Sequence, residues 1–156
     1  MGNQTSTDLD IKNGYEAHKY YLETTSRSVV IELHNNTKKD FKKQDYLIIH
    51  GDDLLIQLPD FLQKESINYI CHGSNGVMTG VQAWITYLSS DGNLLKISWE
   101  CAYIGASFVN IETQNYIITQ TELETSRENN LYIKIELKEI KMRKSSKEIW
   151  DFINGD

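Results

Sequence analysis

From Val29 onward the chain repeatedly places apolar residues at every second position, the spacing at which the side chains of an extended strand share one face. Val29, Ile31 and Leu33 lie on one face of the first such run and Val30, Glu32 and His34 on the other, before the turn-forming Asn35-Asn36-Thr37. Short runs at 46–49 and 54–58 are separated by Gly51-Asp52-Asp53, and an apolar turn through Leu58-Pro59 and Phe61-Leu62 leads into a strand at 66–71. The clearest alternation follows. Val81, Ala83, Ile85 and Tyr87 interleave with Gln82, Trp84, Thr86 and Leu88; beyond Asp91-Gly92-Asn93, Leu95, Ile97 and Trp99 interleave with Lys96, Ser98 and Glu100. An Asp-Gly pair between two such runs predicts a β-hairpin, because glycine accepts the positive φ of a tight turn. After Cys101, the stretch 102–108 reads as an uncharged apolar loop, and 115–120 and 131–139 read as strands. In the last of these, Leu131, Ile133, Ile135 and Leu137 alternate with Tyr132, Lys134, Glu136 and Lys138, which predicts an edge or outer strand with one wet face.

About eight short strands punctuated by glycine and polar turns predict an all-β fold, an antiparallel β-sandwich. Its predicted core takes Val29, Ile31, Leu33, Ile70, Ile85, Tyr87, Leu95, Ile97, Ile133 and Ile135. The sandwich domain spans 28–140 and is flanked by two different tails. Residues 1–27 form a polar N-terminal arm with a helical patch around Tyr15, Ala17, Tyr20, Tyr21 and Leu22, either a loose chain end or an arm that docks a partner. At 141–156 the period changes: Ser145-Ser146-Lys147-Glu148 resembles a capping box, Ile149, Trp150, Phe152 and Ile153 recur at helical spacing, and Gly155 supplies a stop. This predicts a short C-terminal helix, packed on the sandwich or docked on a partner or interface.

Composition narrows the function classes. A chain of 156 residues fits one domain with a sizeable core. Its net charge of −6 disfavours nucleic acid as a partner, and no apolar run approaches the roughly 20 residues of a membrane-spanning helix. The first residues lack the basic and apolar parts of a secretory signal, so synthesis in the cytoplasm is expected. The histidines show no ligand spacing and the two cysteines make no zinc site, so neither metal nor cofactor is predicted. There is no G-x-S-x-G elbow, P-loop or dinucleotide fingerprint. Cys71 and His72 are adjacent, which places them on opposite faces of a strand and makes a poor nucleophile and base. An enzyme is therefore not expected. The cysteines read as buried free thiols, with a disulfide formed after release as the alternative. Lys38, Lys39, Lys42 and Lys43 around Phe41 read as a solvated loop, or as a site drawn to anionic headgroups at about 1 kcal/mol per charge.

The order of several short motifs carries a resemblance. Cys71-His72-Gly73-Ser74-Asn75-Gly76, then Gly80, the Asp91-Gly92 turn and Trp99-Glu100-Cys101-Ala102-Tyr103-Ile104-Gly105 together resemble the aegerolysin family, whose two cysteines lie at corresponding places around W-D-C-P-W-G. Residues 74–80 and 115–120 are similar to the runs S-N-G-F-M-T-G and Y-E-I-I-T-Q of a family member, the small component of a bacterial binary insecticidal crystal toxin. Residues 30–37 are similar to the first strand of aegerolysins and actinoporins, which share a β-sandwich. The resemblance spans roughly residues 28–137.

Such a resemblance implies a specific role. The chain would be the membrane-binding small component of a two-protein bacterial pore-forming toxin, hemolytic or insecticidal in effect. Its partners would be a membrane lipid or surface receptor, a larger toxin protein and further copies of itself, and it would act outside the producing cell. Tyr103 takes the place of a family aromatic; Ile104, Phe108, Met78 and Thr79 complete the implied lipid-binding set, with Tyr69 and Trp84 near in sequence. Trp84 and Trp99 are either ligand aromatics or ordinary core residues. Two departures, Thr79 in place of a lipid-contacting carboxylate and Ala102 in place of proline, separate the chain from the sphingolipid specificity of fungal members. The alternative is a carbohydrate-binding, lectin-like module of the same fold, with Trp84 or Tyr87 stacked on a sugar. A third reading is an interaction protein that binds through its terminal helix.

Overall fold

In a computed structural model, residues 13–76, 78–140 and 153–154 are described. The alternating runs become strands because each can send one row of side chains into a shared interior and leave the other row at a surface. In chain order the elements are α1 (Gly14–Thr24), β1 (Arg27–Asn36), β2 (Phe41–His50), β3 (Asp53–Leu54), β4 (Phe61–Leu62) and β5 (Ser66–Ser74). They continue with β6 (Val81–Ser89), β7 (Leu94–Cys101), β8 (Phe108–Thr113), β9 (Tyr116–Glu122) and β10 (Asn130–Glu139). One five-stranded sheet runs β3-β5-β1-β10-β9 and the other β4-β2-β6-β7-β8, face to face. Every predicted core residue is buried, and all of them belong to the cluster between the sheets. The hairpin is also as predicted: β6 pairs antiparallel with β7, and Gly92 sits in its turn at φ 87°.

Several expectations are corrected. β10 is not an edge strand; it lies inside its sheet, parallel to β1 and antiparallel to β9. The β1–β10 pair is thus the parallel exception in a mainly antiparallel sandwich. Alternation reports that one face is wet and says nothing about how many neighbours a strand has. Of the run at 54–58 only Leu54 is in a strand, yet Leu55 and Leu58 are buried, so their hydrophobicity anchors a loop rather than marking a strand. Phe108 is not part of a loop but opens β8, which pairs with β7. Of the lysines around Phe41, Lys38 and Lys39 lie in the β1–β2 loop as read, whereas Lys42 and Lys43 belong to β2, which starts at the buried Phe41, and the Lys43 ammonium lies 2.8 Å from Asp60.

Part of the stretch predicted as an arm is a third layer. Asn13 caps α1 by accepting from the Glu16 amide at 2.9 Å, satisfying one of the free N–H groups of the first turn. The helix then buries Ala17, His18 and Tyr21 with Val30, Leu55, Cys71 and Tyr132 on the outer face of the β3-β5-β1-β10-β9 sheet. This sheet is called the covered sheet below, and the other the bare sheet. The Tyr21 hydroxyl donates to the Asp53 carbonyl at 3.1 Å and accepts from the Leu55 amide at 3.2 Å, pinning β3 to the helix. The predicted C-terminal helix lies outside the described residues except for Ile153 and Asn154.

Candidate functional site

At one end of the sandwich β1 begins, β2 ends, β5 ends, β6 begins and β7 ends; the register places Arg27 beside Ser74, His50 beside Gln82 and Val81 beside Cys101. The described residues of the loops after these strands, 75–76, 78–80 and 102–107, form a rim. The chain is locally fitted to that geometry. A side chain at Gly80 would put its Cβ 2.7 Å from the Cys101 carbonyl, so only glycine lets the two loops touch. Met78 turns through φ 60° and Gly105 through φ 115°, left-handed conformations that aim the loop tips outward.

Predicted site residues meet at this rim. Ile104 is 84% exposed, Met78 68% and Tyr103 43%, large apolar surfaces presented to solvent. Together with Thr79 they line a hollow of about 420 Å³ whose polar lining comes from His50, Gln82 and Glu100. Arg27 fixes one wall. Its guanidinium lies 5.2 Å from the centre of the Tyr103 ring, and it donates to the carbonyls of Ala102 (3.4 Å), Tyr103 (3.5 Å) and Ser26 (3.0 Å). These partners are main-chain oxygens, so the charge stays available at the rim while the ring is held in place.

Other predicted residues lie elsewhere. Phe108 is exposed but stands beside the hollow on the bare sheet, opposite Glu100, and does not line it. Trp84 is half-buried on the outer face of the bare sheet, with the Lys96 ammonium 5.2 Å from its ring centre. Trp99 is not a ligand aromatic: it is 1% exposed and part of the core. Tyr87 cannot stack on a sugar either, since it is buried and its hydroxyl donates to the Pro59 carbonyl at 2.8 Å. Tyr69 packs on the helix side of the covered sheet, away from the rim.

Beneath the rim lies a residue that the sequence reading set aside. His72, fully buried, accepts at Nδ1 from the Trp99 indole N–H (2.9 Å) and donates from Nε2 to the Gly51 carbonyl (2.9 Å). One ring thus joins the covered sheet, the bare sheet and the β2–β3 turn. Burial holds its pKa below the ordinary histidine value, against smaller opposing effects of the Gly51 bond and Asp52. Arg27 and His72 were open to recognition: Arg27 adjoins the first alternating run, and His72 has the parity of Ile70, a core residue.

The remaining chemistry is structural. Cys71 points to the helix side and burial pushes its thiol up to about 12, far from a reactive thiolate. Cys101 lies between the sheets, its Sγ 3.1 Å from the Asn129 carbonyl, and neither cysteine is paired. Among the described residues no three His, Cys, Asp or Glu side chains gather as a metal site.

No protein-family model matches the chain, and no curated protein does. Solved structures do share its fold. The lipid-binding protein Nakanori superposes with a TM-score of 0.63 at 12% identity, over 85% of this chain and 84% of that one. The RahU protein, solved with a TRIS molecule, gives 0.61 at 10% identity over 76% and 98%, and IP-1A from Alcaligenes faecalis gives 0.53 at 13% over 79% and 99%.

Proposed function

We propose that the rim attaches this protein to membrane lipid, and that the protein acts there as a non-catalytic recognition component. The observation that carries this reading is the convergence of Met78, Tyr103 and Ile104, exposed and uncharged, around one hollow on a rigid frame. A tyrosine suits the membrane interface because its ring is apolar and its hydroxyl remains wet. The fold shared with a lipid-binding protein supports the reading.

Magnitude shapes the rest of the proposal. Moving such a side chain out of water contributes about 2 kcal/mol, so three supply about 6 kcal/mol, a dissociation constant of tens of micromolar. A single copy therefore holds a membrane weakly. Several copies on one surface, or one copy tied to a larger partner, would bind far more tightly through effective concentration. This favours an aegerolysin-like role: the small, lipid-recognising component of a two-protein pore-forming toxin, released from the producing cell and assembling with a larger protein.

The test is vesicle co-sedimentation with and without that larger protein. Wild type is expected to sediment, and Tyr103→Ala combined with Ile104→Asn to lose at least tenfold in affinity with its melting temperature unchanged. Equal sedimentation of the two forms would sink the proposal.

A further inference from the structure

We infer that His72 is an acid-sensitive latch for the rim, so that the rim's hold on lipid weakens when the ring takes up a second proton; this rests on the lipid-binding reading above. The argument is one of donors and acceptors. In the neutral ring Nδ1 is the acceptor for Trp99 and Nε2 the donor to Gly51. A proton on Nδ1 would face the indole N–H, donor against donor, in a site without access to water. Either the ring or the indole must then move. The surroundings allow little room: an added Cβ at Gly51 would lie 2.9 Å from the His72 Nε2.

Movement there is transmitted to the rim on both sides. Gly51 is bonded in sequence to His50, which lines the hollow, and Trp99 stands two residues before Cys101, from which the loop bearing Tyr103 and Ile104 departs. The charged and titratable groups around the ring are few. The β2–β3 turn brings Asp52 and His50, β3 brings Asp53, and β1 and β7 place the non-titrating Val29 and Trp99 beside it. Tyr21 and Cys71 lie on the opposite face of the strand. Asp52 favours the proton, while burial disfavours it more strongly.

The experiment uses the full chain and vesicles of phosphatidylcholine, sphingomyelin and cholesterol, whose headgroups keep their charge between pH 7.4 and 5.0. Wild-type affinity is expected to fall at least fivefold over that interval. His72→Gln, an amide with an acceptor oxygen and a donor NH2 but no titration, should change less than twofold, while His34→Gln, on β1 away from the rim, should fall like wild type. Hydrogen exchange of the Trp99 indole N–H, followed by NMR in the wild-type chain without lipid, should quicken as the affinity drops. A fall of equal size in His72→Gln overturns the latch, as does an indole signal indifferent to acid. If indole exchange quickens but wild type binds no vesicle even at pH 7.4, the rim reading fails, and the inference fails with it as a control of lipid binding.

Discussion

At the end of the sandwich away from the rim, polar side chains are consumed by turns. Asn35, 1% exposed, donates to the carbonyls of Lys39 (2.8 Å), Leu62 (3.1 Å) and Gln63 (3.1 Å) and accepts from the Thr37 hydroxyl at 2.6 Å. Ser89, Asp91 and Asn93 knit the β6–β7 turn, and Asn115 reaches across to Asn93 at 2.7 Å. The rim differs: Arg27 and short serine links from Ser26 and Ser74 to Gly76 hold its loops, while large apolar side chains face water. Saturated polar turns contribute to folding and leave little to offer a partner. Exposed apolar loops on a firm base contribute little to folding and leave much. On the proposed reading, the contrast gives stability to one end and recognition to the other.

The largest effect should come from the far end. Asn35→Ala strips partners from several buried groups and is expected to cost about 3 kcal/mol in urea unfolding while leaving vesicle affinity unchanged. A loss of binding without a loss of stability would break the division of labour. Acid should act through the rim end and the helix layer. His18 and His72 both have pKa values lowered by burial, so each contributes stability that is present above the unfolded value of about 6.5 and lost as pH falls below it. The urea midpoint should therefore drop between pH 7.5 and 5, less so in His72→Gln. Arg27→Gln removes a cation held over Tyr103 and is expected to cost about 1 kcal/mol, with a fall in vesicle affinity. Smallest of all should be Lys96→Ala on the bare sheet, within about 0.5 kcal/mol and without effect on binding, because its partner Trp84 stands outside the rim.

What could be read from the chain was the alternation of faces. It identified the core and the hairpin; it also holds a distinction between the tryptophans that the sequence reading did not draw, since Trp99 shares the phase of Leu95 and Ile97 and Trp84 that of Gln82 and Thr86. The rim aromatic Tyr103 came from a motif rather than from alternation; the structure places Met78 and Ile104 around the same hollow and leaves Phe108 outside it. Long-range facts were not legible. β8 has only Val109 and Ile111 on its inner face, too few to stand out beside the glycine loop. The patch around Ala17 and Tyr21 signalled a helix but not the sheet it would cover. No local pattern announces that β1 and β10 will run side by side, since parallel neighbours are set by the path of the whole chain.

That pairing has a consequence for biosynthesis. The strand that begins the domain is bordered on one flank by the strand that ends it, across contacts as far apart in sequence as Ser28 and Asn130. A ribosome-bound chain must therefore wait with β1 half-paired until β10 has been made, and slow, aggregation-exposed maturation follows from such distant partners.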